Sequence, residues 1–284
     1  MSVRALRHIR RMRGGAQSHL MRCSDGNLYV VKFQNNPQGI RVLANEQFAT
    51  RLAESVGLPV PQTEIVEVDD RLIERTPELS IQLAHGTTKC VAGMQFGSMY
   101  VADPPYEAVL DHMPAELLHS RVRNLDAFAG ILVLDKWTGN IDGRQAAFCR
   151  RSRERLYTAV FIDQGYCFNA ECWTFPDYPL RGIYGHHEVY SSVRGWKSFE
   201  PWLSRIEQFP PDQIRAIANR IPAEWYGGEQ SCLDNLVEEL VARRGIVRGL
   251  IQTLRISPCR PFPLWTEIRA SSSSGIGESH LMSR

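Results

Sequence analysis

The residue that most constrains this chain is a lysine inside an apolar strand. Leu28-Tyr29-Val30-Val31-Lys32-Phe33 is rich in β-branched and aromatic residues and follows the turn signal Asp25-Gly26, so it reads as a strand entered through a tight turn. Successive side chains of a strand point to opposite faces. Leu28 and Val30 therefore share one face, and Tyr29, Val31 and Phe33 share the other. Both faces are apolar, which predicts a strand covered on both sides. Lys32 then holds its ammonium in a low-dielectric place, which is costly unless an anion meets it. The alternative is an edge strand from which the lysine snorkels to water. Lysine stands only at positions 32, 89, 136 and 197, against 29 arginines, so its placement here carries weight.

Covering such a strand takes a sizeable core. With 284 residues, 43% hydrophobic and 23% charged, the chain has the composition of a folded globular protein, as one large domain or two packed lobes, and not of a disordered or fibrous one. The longest apolar run, residues 127–134, falls far short of the roughly 18 residues of a membrane span. No basic end is coupled to an apolar run as in a secretory signal. The net charge of +2 singles out no class of partner, and no nucleic acid is expected as one. The basic start, residues 4–13, runs directly into a Gly-Gly turn and a strand pattern. It is expected to be an exposed strand or short helix and not a presequence or nucleic-acid arm. Seven cysteines at irregular spacing, without a C-x-x-C pair, predict reduced thiols in a cytoplasmic protein.

The pattern predicts an α+β chain. Residues 1–102 read as a β-rich N-lobe. It has a helix over 43–56, where Phe48, Leu52 and Val56 fall four apart, and further strands at 63–68, 71–74 and 93–101. Residues 103–258 read as a larger helical C-lobe, with helices at 124–134, 199–208, 212–220 and 231–256. Two strands, 145–149 and 157–162, interrupt it, joined by the charged, solvated turn 150–155. A long irregular stretch covers 165–197, and residues 259–284 are expected to be a disordered tail.

Several residues carry chemistry. Glu46 lies on the first helix, fourteen positions after Lys32. A strand lysine and a helical glutamate in that order form the ion pair by which kinase-like folds orient a lysine toward nucleotide phosphates, although helical carboxylates are otherwise commonly solvated. Gly14-Gly15-Ala16-Gln17-Ser18 precedes a strand pattern, where free amides can cradle an anion or form an ordinary hairpin turn. It does not match a Walker loop. The strongest signal is Asp135-Lys136-Trp137-Thr138-Gly139-Asn140 followed by Phe161-Ile162-Asp163-Gln164-Gly165. An aspartate just past an apolar helix with an asparagine five later places both on one loop, and a second aspartate ends an apolar strand. Phosphoryl transfer calls for one carboxylate that accepts the attacking hydroxyl's proton, and for an amide oxygen and a second carboxylate that hold Mg²⁺. The absence of His or Cys partners argues against zinc. His186-His187-Glu188 lacks the spacing of a helical metal pair. The aromatic run 166–190, with Trp173, Phe175, Tyr178 and Tyr184, either packs a long loop or receives a peptide or lipid.

These stretches together resemble the HipA-like kinases, a bacterial branch of the protein-kinase-like superfamily. They are most similar to a compact group lacking the extra amino-terminal domain of the toxin HipA. The resemblance rests on residues 14–18, 29–33, 135–146 and 162–169 and runs from about residue 3 to 255. It implies a two-lobed protein-kinase-like fold that binds ATP and Mg²⁺ between the lobes. Asp135 would be the catalytic base, with Asn140 and Asp163 on the metal. Lys32, oriented by Glu46, would sit on the α/β-phosphates, with Gly14, Gly15, Ala16, Gln17 and Ser18 over them. Ser18 would then be either a self-inactivating phosphorylation site or a hydroxyl that contacts phosphate. The chain departs from the pattern in having no His-Arg before Asp135 and Gln164 in place of the phenylalanine of Asp-Phe-Gly. Asp142 rivals Asp135, because Asp142-Gly143 resembles the toxin's catalytic start. Ala147 stands five later where an asparagine is expected, so Asp135 is preferred. The expected activity is transfer of the ATP γ-phosphoryl to a hydroxyl, most simply a protein serine or threonine. The alternatives are a non-catalytic nucleotide-binding scaffold and a kinase for a lipid or small molecule.

Overall fold

The computed structural model describes residues 3–102 and 106–265. Its N-terminal portion contains β1 (Val3–Arg11), β2 (His19–Cys23), β3 (Leu28–Lys32), α1 (Arg41–Ser55), β4 (Thr63–Val68), α2 (Asp70–Glu74), the hairpin β5 (Ser80–Leu83) and β6 (Gly86–Lys89), and β7 (Gly93–Met99). Five of these strands close a barrel in the order β1-β2-β3-β7-β4, sealed by a parallel contact between β1 and β4. Closure leaves no free edge. The strand carrying Lys32 is therefore interior, paired with β2 on one side and β7 on the other. Tyr29, Val31 and Phe33 point into the barrel and are buried with Met21 and Val66, while Val30 and Lys32 face a cleft.

The C-terminal portion contains β8 (Tyr106–Leu110), α3 (Ala115–Arg121), α4 (Ala127–Thr138), β9 (Gln145–Arg151), β10 (Thr158–Ile162), α5 (Trp202–Glu207), α6 (Pro211–Ala218), α7 (Gln230–Arg243) and α8 (Val247–Ile256). Strands β8, β9 and β10 form an antiparallel sheet with β9 in the middle. Helix α1 joins the two portions. Its Phe48 and Leu52, with Val56 just past its end, are the face predicted from their spacing and belong to one core with Phe128, Ile131 and Leu132 of α4. The helix is buried on its polar side too, where Asn45 and Glu46 are enclosed. The α+β class and the β-to-helix order are as the sequence predicts.

Local differences have local causes. Residues 71–74 are the helical turn α2 and not a strand, because the Asp69 carboxylate caps the Arg71 amide at 2.7 Å. Helix α4 runs past residue 134 to Thr138, since nothing breaks the pattern before Gly139, whose left-handed φ of +59° ends it. The expected helix over 231–256 is two helices, interrupted at Arg244-Gly245-Ile246. Strands β5, β6 and β8 were not expected. The expected boundary between residues 102 and 103 meets residues outside the described ones. Of the segment assigned to the tail, Phe262 is buried and Trp265 packs edge-on against Trp196; residues 266–284 lie outside the described residues. Within the irregular stretch, Trp173 donates to the Asn45 side chain at 2.8 Å and Phe175 lies under the Arg243 guanidinium, so these two aromatics pack the loop onto the helices. All seven cysteines are unpaired. Among the described residues, no helix is long and apolar enough to cross a membrane.

Gly130 of α4 lies against the indole of Trp202. A Cβ there would stand 2.3 Å from Trp202 Cδ2. Alanine in place of a mid-helix glycine normally gains about 1 kcal/mol, whereas overpacking a dense core costs about 1–3 kcal/mol. With Trp202 only 8% exposed, the second effect should win. Gly130→Ala is expected to lower unfolding free energy by about 1–2 kcal/mol in urea titrations; a gain in stability would show that the indole yields.

Candidate active site

The end of β3 delivers Lys32 to the barrel surface facing the second portion of the molecule, where two carboxylates meet it. Its Nζ forms an ion pair with Glu46 of α1 and lies 2.9 Å from Asp163 Oδ1, just beyond β10. Glu46 uses its other oxygen to accept the Gln164 backbone N–H at 2.9 Å. Burial alone would lower the Lys32 ammonium, but Glu46 and then Asp163 outweigh it and hold it above its ordinary range. Burial would likewise raise the Asp163 carboxyl, yet the Lys32 charge and hydrogen bond bring it down to about 2. The anion demanded by a lysine in a covered strand is thus supplied twice, and the snorkelling alternative does not hold.

Asp163 has φ +62°, a left-handed conformation that costs a non-glycine residue of order 1 kcal/mol or more and persists only where neighbours enforce it. Two neighbours do so. Arg144 Nη1 donates to the Ile162 carbonyl at 3.0 Å, and Gln145 Nε2 donates to Asp163 Oδ2 at 3.0 Å. Lys32, Glu46 and Asp163 line a cleft of about 880 Å³ between barrel and sheet, together with Ser18, Val30, Phe96, Arg144 and Gln145. Ser18 closes the loop of residues 14–18, in which the Gln17 N–H donates to the Gly14 carbonyl. The Gln17 side chain ties this loop to the β5–β6 hairpin through both backbone groups of Gln82, each at 2.7 Å.

Asp135 and Asn140 are placed differently from expectation. Asp135 lies in the last turn of α4 and not on a loop. Its carboxylate receives the Arg144 guanidinium as a fork, with Nε 2.9 Å from Oδ2 and Nη2 on Oδ1. Neither side chain of this pair has any solvent exposure. Asn140 donates to Asp135 Oδ1 at 3.0 Å and accepts the Asp142 backbone N–H at 3.0 Å, so both ends of its amide are engaged. Neither residue lines the cleft that holds Lys32 and Asp163. Asp142 does not line that cleft either, but it is exposed, at the start of the loop leading to Gln145, which does line it. Arg144, Gln145 and the bracing role of Gln17 are not signalled by spacing. All three fall inside the stretches 14–18 and 135–146 that carry the resemblance, which is the signal that could have found them. His186 and His112 rings lie 5.0 Å apart beside the cleft, but among the described residues no three His, Cys, Asp or Glu side chains gather as a metal cluster.

Removing one partner of a buried ion pair leaves an uncompensated charge, at a cost of about 3–5 kcal/mol. Arg144→Met should destabilise by that order in denaturant titrations, and adding Asp135→Leu should recover most of the loss; equal stability of wild type and Arg144→Met would contradict a buried pair. Asp163 carries a pH signature. A carboxyl held at about 2 against an ordinary value of 3.8 stabilises the fold fully above about pH 4 and loses that contribution as pH falls toward 2. The stability difference between wild type and Asp163→Asn should shrink across that window, and a constant difference would contradict the Lys32 contact.

The sequence pattern of one family, the HipA-like kinases, matches residues 6–246. No curated protein matches the chain. Among solved structures, the Helicobacter pylori proinflammatory kinase CtkA is similar over 83% of this chain and 94% of its own, with a TM-score of 0.52 and 13% identity. A hydra Fam20 structure determined with sugar gives a TM-score of 0.55 and 10% identity over 89% of this chain and 85% of its own. A Golgi casein kinase gives 0.50 and 11% over 90% and 74%. At these identities the likeness is one of fold, and the fold is kinase-like. The family match spans most of the chain, which belongs to the HipA-like kinases.

Proposed function

We propose that this HipA-like kinase transfers the γ-phosphoryl group of ATP, with Mg²⁺, to a protein serine or threonine hydroxyl. The observation that carries the reading is the contact of Lys32 with both Glu46 and Asp163, which joins a barrel strand, a helix and a strand end at the wall of one cleft. Lys32 held in this way directs a fixed positive charge toward the α/β-phosphates, and Glu46 sets its position. Residues 14–18 would lie over the phosphates, with Ser18 on the cleft wall. The site suits Mg²⁺, because Asp163 is kept ionised and a carboxylate is a hard oxygen ligand. Mg²⁺ is commonly held by only one or two carboxylates together with substrate phosphates, which agrees with the absence of a larger acidic cluster among the described residues. When bound, the ion offsets phosphate charge.

In this reading Asp142, and not Asp135, accepts the proton of the attacking hydroxyl. A base must reach its substrate, and the Asp135 oxygens are taken by Arg144 and Asn140 in a place without solvent. Asp142 is exposed, and Asn140 fixes its backbone. Asp135, Asn140 and Arg144 are then positioning residues. One observation favours the second reading, a non-catalytic nucleotide-binding scaffold: Ala147 stands five residues after Asp142, where the resemblance leads one to expect an amide.

Incubation with γ-labelled ATP, Mg²⁺ and a generic protein acceptor, followed by intact mass, separates the two. Wild type should transfer label or gain about 80 Da per phosphate, and Asp142→Asn should do neither while melting at an unchanged temperature. Transfer by Asp142→Asn at the wild-type rate would remove Asp142 from the role. No transfer by wild type, with an ATP-dependent rise in melting temperature, would favour the scaffold; no rise either would remove the nucleotide site.

A further inference from the structure

The missing amide at position 147 has a substitute two residues earlier. Residues two apart on a strand share a face, and Gln145 and Ala147, both at the start of β9, line the same cleft. Gln145 pairs across the sheet with Ile162, which sets its side chain beside Asp163, the next residue. Its Nε2 is 3.0 Å from Asp163 Oδ2, while Lys32 holds Oδ1. We propose that Gln145 supplies the amide oxygen that holds the divalent ion together with Asp163, in place of the side chain that Ala147 lacks. The inference rests on the phosphotransferase reading above and deepens it.

The chemistry requires one rotation. A primary amide presents a donor nitrogen and an acceptor oxygen on the two ends of one planar group. The nitrogen faces the Asp163 carboxylate. Turning the amide by half a revolution about its last bond puts the oxygen beside Oδ2 and leaves the rest of the side chain in place. A neutral oxygen and an ionised carboxylate are donors of the hard type that Mg²⁺ and Mn²⁺ select. Gln145 is exposed, so the turn displaces no packed neighbour. Asn140, the amide first expected in this role, has both its ends committed to Asp135 and Asp142.

The test is titration of Mn²⁺, alone and with ADP, followed by electron paramagnetic resonance of the free ion. The proteins compared are wild type, Gln145→Ala, Gln145→Glu and Asp163→Asn, with metal-free ADP affinity measured in parallel. Gln145→Ala should weaken Mn²⁺ binding about tenfold or more and leave metal-free ADP affinity unchanged. Gln145→Glu, which keeps an oxygen at the same reach, should bind at least as well as wild type. Wild-type Mn²⁺ affinity in Gln145→Ala, with loss in Asp163→Asn, would overturn the role of Gln145 and leave the phosphotransferase reading standing. Failure of the wild type to bind Mn²⁺ with ADP would overturn both.

Discussion

A buried ammonium is the constraint on which this molecule turns. Lys32 sits on an interior strand of a closed barrel, 8% exposed, where an unpaired charge would cost several kcal/mol. Its two partners come from Glu46, fourteen residues on, and Asp163, 131 residues on. Meeting that one charge obliges the barrel, α1 and the end of β10 to come together, and the cleft is the space left between them. The same contacts keep the Asp163 carboxyl ionised down to about pH 2, so an interaction that secures the fold also fixes the charge state of the site.

A second buried pair supports the first from behind. Arg144 holds Asp135 at the end of α4 and donates to the Ile162 carbonyl at the end of β10. Asp135 in turn takes Asn140, and Asn140 takes the Asp142 backbone. The chain of bonds links a helix terminus, the exposed Asp142 loop and the left-handed backbone of Asp163. A buried guanidinium suits this work because its planar fork reaches a carboxylate and a carbonyl at once.

What was legible in the sequence was local. Alternation gave β3 and the burial of Lys32, and four-residue spacing gave the buried face of α1. The order of lysine, glutamate and strand-end aspartate pointed to one site because each lies at a recognisable place on a strong element. Asp135 lies off the expected loop for a reason that spacing cannot supply. The end of an apolar run is not the end of a helix, and α4 continues one turn further to Gly139. That turn carries Asp135 inward to Arg144, nine residues on, a partner chosen by the fold alone. Strand β8 was illegible because it borders residues of mixed pattern and gains its identity from pairing with β9. Gln145 was visible as the start of a strand, but its meeting with Asp163 depends on the register of β9 against β10.

The most direct measurement is calorimetric titration of a non-hydrolysable ATP analogue into wild type and Lys32→Met, each with and without Mg²⁺. If the Lys32, Glu46 and Asp163 contact forms the phosphate and metal end of a nucleotide site, wild type binds with an affinity that rises with Mg²⁺. Lys32→Met, lacking one charge-assisted contact, then binds about tenfold or more weakly. Equal binding by the two proteins, or binding indifferent to Mg²⁺, would contradict it.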